Sequence, residues 1–204
     1  GGRAQERERE QNTPLTPSPP HAFTAASAQP VTPSPGQEWS AAPTINKVYG
    51  RQAELAQMEQ WLVRERCRLV AVLGIGGVGK TTLTAATVNM VAPVFDRVLW
   101  RSLLNAPPLD ELLGDLLQRL ADERLHEMPT GLDAQLTLLL DYLRQQRCLL
   151  VLDNLESILQ ADQPGHMQPG YAGYAQLLQI VAERNHQSTL LLTSRERPQG
   201  VARR

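Results

Sequence analysis

Two hydrophobic rhythms alternate along most of this chain. Short apolar runs, rich in Leu and Val, occupy residues 67–73, 97–103, 148–152 and 189–192. Their length and composition predict strands. Between them, apolar residues recur every three or four positions. Leu55, Met58 and Leu62 stripe a helix over 51–64, and a further helix over 80–91 ends before Pro93. Leu109, Leu112, Leu113, Leu116, Leu117 and Leu120 mark the next helix. Leu132, Leu136, Leu139, Leu140 and Leu143 mark another, and Tyr174, Leu177, Leu178 and Val181 a last one. The run at 148–152 is almost wholly apolar, as expected of a strand covered on both faces. Strands alternating with helices predict an α/β fold, a mostly parallel sheet sandwiched between helical layers.

The first 43 residues follow neither rhythm. Eight of the fifteen prolines fall there, with Ser, Thr, Ala and Gln between them and few large apolar residues. Such a stretch buries too little surface to offset its chain entropy and is expected to be a disordered linker, leaving 44–204 as the folded domain. The chain begins with Gly1 rather than Met and is expected to be a fragment of a longer protein. A net charge of -1 gives no electrostatic case for nucleic acid or an acidic membrane. No apolar run approaches the ~20 residues of a transmembrane helix. Cys67 and Cys148 each open an apolar run, as buried thiols of a reducing, cytoplasmic compartment would.

The candidate chemistry begins at Gly74. Gly74, Ile75, Gly76, Gly77, Val78, Gly79, Lys80 and Thr81 fit G-x-x-x-x-G-K-[ST], after an expected strand and before an expected helix. Glycines let the backbone curl so that successive N–H groups point at phosphate oxygens, and the helix N-terminus adds positive potential. Lys80 is the candidate for the β- and γ-phosphates, and the Thr81 hydroxyl for Mg²⁺. The nucleotide expected is ATP or ADP. A second anchor for the metal should be acidic and sit at a strand's C-terminal end. Asp153, closing the run Leu149, Leu150, Val151, Leu152, fits, or else caps the turn that follows. Many hydrolytic relatives place a second carboxylate next. Asn154 stands there and cannot act as a base near neutral pH, which points to tight holding and slow turnover. Glu156 is either a contributor or a solvated loop residue. Arg195, beyond the last strand, faces the crevice where open α/β sheets bind ligands, or is a surface arginine.

Three segments, GIGGVGKTT (74–82, including Thr82), LLVLDN (149–154) and LLLTSR (190–195), resemble in order and spacing the nucleotide-binding domain of the NB-ARC group of STAND P-loop ATPases. Val48, Tyr49, Gly50 and Arg51 resemble that family's adenine-side motif. VLWRSLLNAPP (98–108) and the stretch 173–178 are similar to bacterial members that often carry WD-type repeats downstream. The resemblance implies a molecular switch: ADP holds a closed state, and exchange for ATP permits homo-oligomerisation and signalling. By position it implies that Val48 to Arg51 contact adenine and ribose, Gly76 to Thr82 hold phosphates, Thr81 and Asp153 hold Mg²⁺, and Arg195 senses the γ-phosphate. The upstream effector and downstream sensor stay unknown. The family topology also implies that the last strand lies between the strands of Cys67 and Cys148, so that the two do not pair, and that this chain is truncated after the fourth core strand, leaving 68–73 an apolar edge prone to association.

Two other readings compete with the switch. An active AAA+-like ATPase would want a carboxylate at Asn154, and a truncated remnant would bind little nucleotide. A GTPase is disfavoured, because the Asn46-Lys47 pair precedes the phosphate loop and lacks the N-K-x-D pattern.

Overall fold

The strand run over Cys148–Asp153 is buried at every position, and its neighbours on both sides explain why. A computed structural model of the chain describes residues 37–38, 42, 48, 50–122 and 125–200. In chain order the elements are β1 (Gln37–Glu38), α1 (Gln52–Glu59), β2 (Leu69–Leu73), α2 (Lys80–Val91), β3 (Arg97–Ser102), α3 (Leu109–Leu120), α4 (Leu132–Gln145), β4 (Cys148–Asp153), α5 (Ala172–Glu183) and β5 (Thr189–Ser194). They form one five-stranded sheet in the order β1-β3-β4-β5-β2, and every pairing of these strands is parallel. β4 and β5 are therefore central. That position accounts for their unbroken burial.

Strand side chains alternate between two cores, one on each face, so the fold is a three-layer α/β sandwich. On one face Leu99, Leu150, Leu152, Leu190 and Leu192 pack with the leucine stripes of α3 and α4 and with Tyr174, Leu177, Leu178 and Val181 of α5. On the other, Val70, Val98, Trp100, Leu149, Val151 and Leu191 pack with Met58, Leu62, Ala85, Val88 and Val91 from the α1 and α2 side. Two tyrosines at the start of α5, its N-cap Tyr171 and Tyr174, also fasten the loop after β3: Tyr171 donates to the Ala106 carbonyl at 2.6 Å and Tyr174 to the Pro107 carbonyl at 2.8 Å.

Two local features depart from the expected elements. The helix over 51–64 is not uniform. After α1 it widens into a π turn, Gln60–Arg64, in which the Glu65 N–H reaches back five residues to the Gln60 carbonyl. This wider turn swings the chain into Arg66, left-handed at φ 51, ahead of β2. The second departure is β1, which falls inside the stretch read as linker. Glu38 reaches Arg101 and Arg119, each at 3.4 Å, and these ion pairs accompany two residues of parallel pairing to β3. Apart from Gln37, Glu38 and Ala42, that stretch lies outside the described residues. No helix among the described residues is long and apolar enough to cross a membrane.

Cys67 and Cys148 are both buried and unpaired with each other. β5 lies between β4 and β2, so two inter-strand spacings, about 9–10 Å, separate their strands. A disulfide tolerates Cα atoms no more than ~7 Å apart. Burial also pushes the Cys148 thiol up to about 12, so at neutral pH it stays protonated and unreactive. Ellman's reagent should therefore find both thiols free in denatured protein and Cys148 unreactive in native protein. A native Cys67–Cys148 bridge found by mass spectrometry would overturn this topology.

Candidate functional site

The strand order brings three chain segments to one end of the sheet. β2 runs into the glycine loop, while β4 and β5 end beside it. The Gly74 N–H bonds the Ser194 carbonyl at 3.2 Å, which ties the start of the loop to the end of β5. Gly77 (φ 78) and Gly79 (φ 85) take left-handed backbone, which a side chain would strain. Gly79 is the N-cap of α2, so the helix begins at Lys80. The N–H groups of Lys80, Thr81 and Thr82 lie in its first turn, outside the intrahelical ladder, and the helix dipole adds positive potential there.

Lys80 is 8 % exposed, and its ammonium donates to the carbonyls of Gly74 (2.9 Å) and Ile75 (3.3 Å). The cation thus folds back over the loop. Thr81 points the other way and donates its hydroxyl to Asp153 Oδ1 at 2.9 Å. Asp153 is 4 % exposed at the end of β4. It also accepts from Thr193 Oγ1 at 2.6 Å on Oδ1 and from Asn154 Nδ2 at 3.1 Å on Oδ2. Asn154, left-handed at φ 65, in turn donates its backbone N–H to Thr193 Oγ1 at 2.9 Å. Three side chains, from α2, β5 and the turn after β4, therefore meet at one buried carboxylate of β4.

Arg195 follows β5 and is 66 % exposed. Its Nε lies 3.4 Å from Glu156 Oε1, and its guanidinium sits 3.5 Å from where a Cβ would stand on Gly76. The arginine is thus beside the phosphate loop. Glu156 is not the solvated loop residue of one sequence reading, because its side chain is only 19 % exposed. The segment 48–51 is brought in at its last residue. Arg51 donates to the Val78 carbonyl in the loop. Gly50 is exposed, Val48 is half-buried, and Tyr49 lies outside the described residues. Sequence reading missed Thr193 as a partner of Asp153. The signal lay in the register: Leu152 pairs with Leu192, so the next residues along the two strands, Asp153 and Thr193, sit side by side.

A phosphate-type glycine loop leading from a parallel strand into a helix, with its threonine bound to the aspartate that closes a neighbouring strand, defines a nucleotide-binding domain of the P-loop ATPase type. Comparison with known proteins gives the family. Residues 51–202 match the NB-ARC domain, and the chain belongs to that family. An uncharacterized WD repeat-containing protein of Nostoc sp. is 43 % identical over 180 residues, an alignment that covers 83 % of this chain. The same alignment covers 14 % of that relative, so this chain spans a small part of its length. Among solved structures, the crystal structure of Cdc6p from Pyrobaculum aerophilum superposes with a TM-score of 0.50 at 19 % identity, over 77 % of this chain and 41 % of that one. That likeness concerns the fold.

The Thr193 hydroxyl, fully buried, is used twice, as donor to Asp153 and acceptor from Asn154. Thr193→Val keeps the shape and removes both bonds, leaving a buried N–H and a less well held carboxylate. A loss of about 1–3 kcal/mol is expected in urea unfolding. A change within about 0.5 kcal/mol, the usual range for a surface site, would show that Asp153 does not depend on Thr193.

Proposed function

We propose that this chain is the ADP/ATP-binding switch domain of a larger cytoplasmic signalling protein, a slow Mg²⁺-dependent ATPase in which exchange of ADP for ATP controls homo-oligomerisation. The observation that carries the reading is the bond between Thr81 Oγ1 and Asp153 Oδ1, which joins the helix of the phosphate loop to the end of β4. Membership of the NB-ARC family supports it.

In this reading the loop from Gly74 to Gly79, with Lys80 to Thr82, wraps the phosphates through backbone N–H groups, and the Lys80 ammonium leaves its two carbonyls for phosphate oxygens. Val48 to Arg51 lie on the adenine and ribose side. Arg51 reinforces the loop through its bond to Val78. The Thr81 hydroxyl and the Asp153 carboxylate are hard oxygen donors that suit Mg²⁺. Among the described residues no group of three or more His, Cys, Asp or Glu could hold a metal alone. The ion would therefore enter with the nucleotide, whose phosphates complete its shell, and when bound it would neutralise phosphate charge. Arg195, beside Gly76, would meet a third phosphate.

The same geometry supports slow turnover. Asn154 gives its amide to Asp153 and its N–H to Thr193, and it offers no base to water. A vigorous ATPase would need one. The WD repeat-containing relative supports a downstream repeat sensor outside this chain.

A ligand that binds only the folded state adds about 2.7 kcal/mol at a hundred times its Kd. For a domain this size each kcal/mol moves Tm by roughly 2–4 °C. Saturating Mg-ADP or Mg-ATP should therefore raise Tm by about 5–11 °C, and Mg-GTP by much less. Lys80→Ala should abolish the shift, and steady-state hydrolysis should stay well below typical enzyme turnover of about 10 per second. No shift with any nucleotide would favour a truncated remnant, and turnover of tens per second would replace the switch with an active ATPase.

A further inference from the structure

Glu156 has no role in the mechanism above, yet its surroundings are specific. It sits two residues beyond Asn154 in the short 3₁₀ turn Leu155–Ile158. Leu155 and Ile158 are completely buried and pin that turn, so Glu156 is carried on a fixed base. Its side chain is mostly shielded, and Oε2 is closed to solvent and accepts no hydrogen bond among the described residues. Among the described residues the carboxylate's one ion pair is through Oε1, 3.4 Å from Arg195 Nε.

The other side of Arg195 matters as much. Its Cζ and Nη2 each lie 3.5 Å from the Cβ position at Gly76, with Nε at 3.6 Å, so the fork lies flat against the phosphate loop. A Cβ at that position would meet it in ordinary van der Waals contact. A guanidinium is a rigid planar fork, and a partner on Nε leaves the terminal nitrogens available. Arg195 is otherwise two-thirds exposed, and a long exposed side chain without an anchor samples many rotamers.

We infer that Glu156 is the positioning residue of Arg195: it holds the guanidinium by Nε and keeps the fork beside Gly76, where the third phosphate of a nucleoside triphosphate would lie. Glu156 thereby sets how well the site tells triphosphate from diphosphate. This rests on the nucleotide-binding reading and goes beyond it, because it gives Glu156 a part in how Arg195 meets the nucleotide. The pair is partly exposed and of modest strength, which suits an anchor that must let the arginine adjust to its ligand.

Calorimetric titration with Mg-ATP and with Mg-ADP, each nucleotide serving as reference for the other, tests this on the whole chain. Arg195→Ala should lower the preference for ATP over ADP by about tenfold, the worth of one lost hydrogen bond to a charged group. Glu156→Ala should lower it by a similar factor. Glu156→Gln keeps an acceptor at the position of Oε1 and should stay within about threefold of wild type. The double variant E156A/R195A should show no greater loss than R195A, because both act through one group. Should E156A not fold, Glu156→Asp reads the same effect: it keeps the charge, is one methylene shorter, and should lose preference as Ala does. An unchanged ATP/ADP ratio in E156A or E156D, or a double variant whose loss is the product of the two single losses, would overturn the inference. If wild type binds neither nucleotide the nucleotide reading itself fails, whereas normal wild-type binding with a silent Glu156 removes only the positioning role.

Discussion

A buried charge organises this domain. Asp153 ends a strand with no exposed residue, at 4 % exposure, and an unpaired carboxylate there would cost several kcal/mol in lost hydration. The side chains of Thr81, Thr193 and Asn154 offset that cost with charge-assisted hydrogen bonds. Each donor comes from a different element, so satisfying the carboxylate fixes α2, β5 and the turn after β4 relative to β4. The crossover order β3-β4-β5-β2 is what makes this possible, since it sets Thr193 beside Asp153 and the loop after β2 next to both.

Around that anchor the charges are arranged asymmetrically. Lys80 folds over the loop, Arg51 bonds the Val78 carbonyl, and Arg195 lies against Gly76. Their acidic counterparts are the fully engaged Asp153 and Glu156, which among the described residues has a single ion pair. Added to the N-terminus of α2, this biases the region toward anions. The bonds of Lys80 to neutral carbonyls are weaker than those it would make to phosphate, so a polyphosphate can displace them.

Much of this was legible in the sequence, for definable reasons. Helices α3 to α5 showed their apolar stripes, and β4 its unbroken apolar run, because burial on one stripe or on both faces dictates those patterns; α2 was marked instead by the glycine loop at its start and Pro93 at its end. The glycine loop was legible because its chemistry needs adjacent residues. Relations between distant segments were harder to read. Nothing in a single strand pattern says that Thr193 faces Asp153, since that depends on which strands pair and in what register. Glu156 reads as a loop residue until the burial of Leu155 and Ile158 shows that its turn is packed. The π turn after α1 keeps an apolar stripe that an ordinary helix would also show, and β1 has only two residues, too few for any rhythm.

In the function proposed, Asp153 and Thr81 would hold a divalent ion only together with a nucleotide. Mn²⁺, with the same preference for oxygen donors as Mg²⁺, allows free and bound metal to be counted by electron paramagnetic resonance. The protein alone should take up no appreciable Mn²⁺, with ADP it should take up about one ion per chain beyond what ADP binds by itself, and Asp153→Asn should lose that uptake. Uptake without nucleotide, or full uptake by Asp153→Asn, would contradict the proposal.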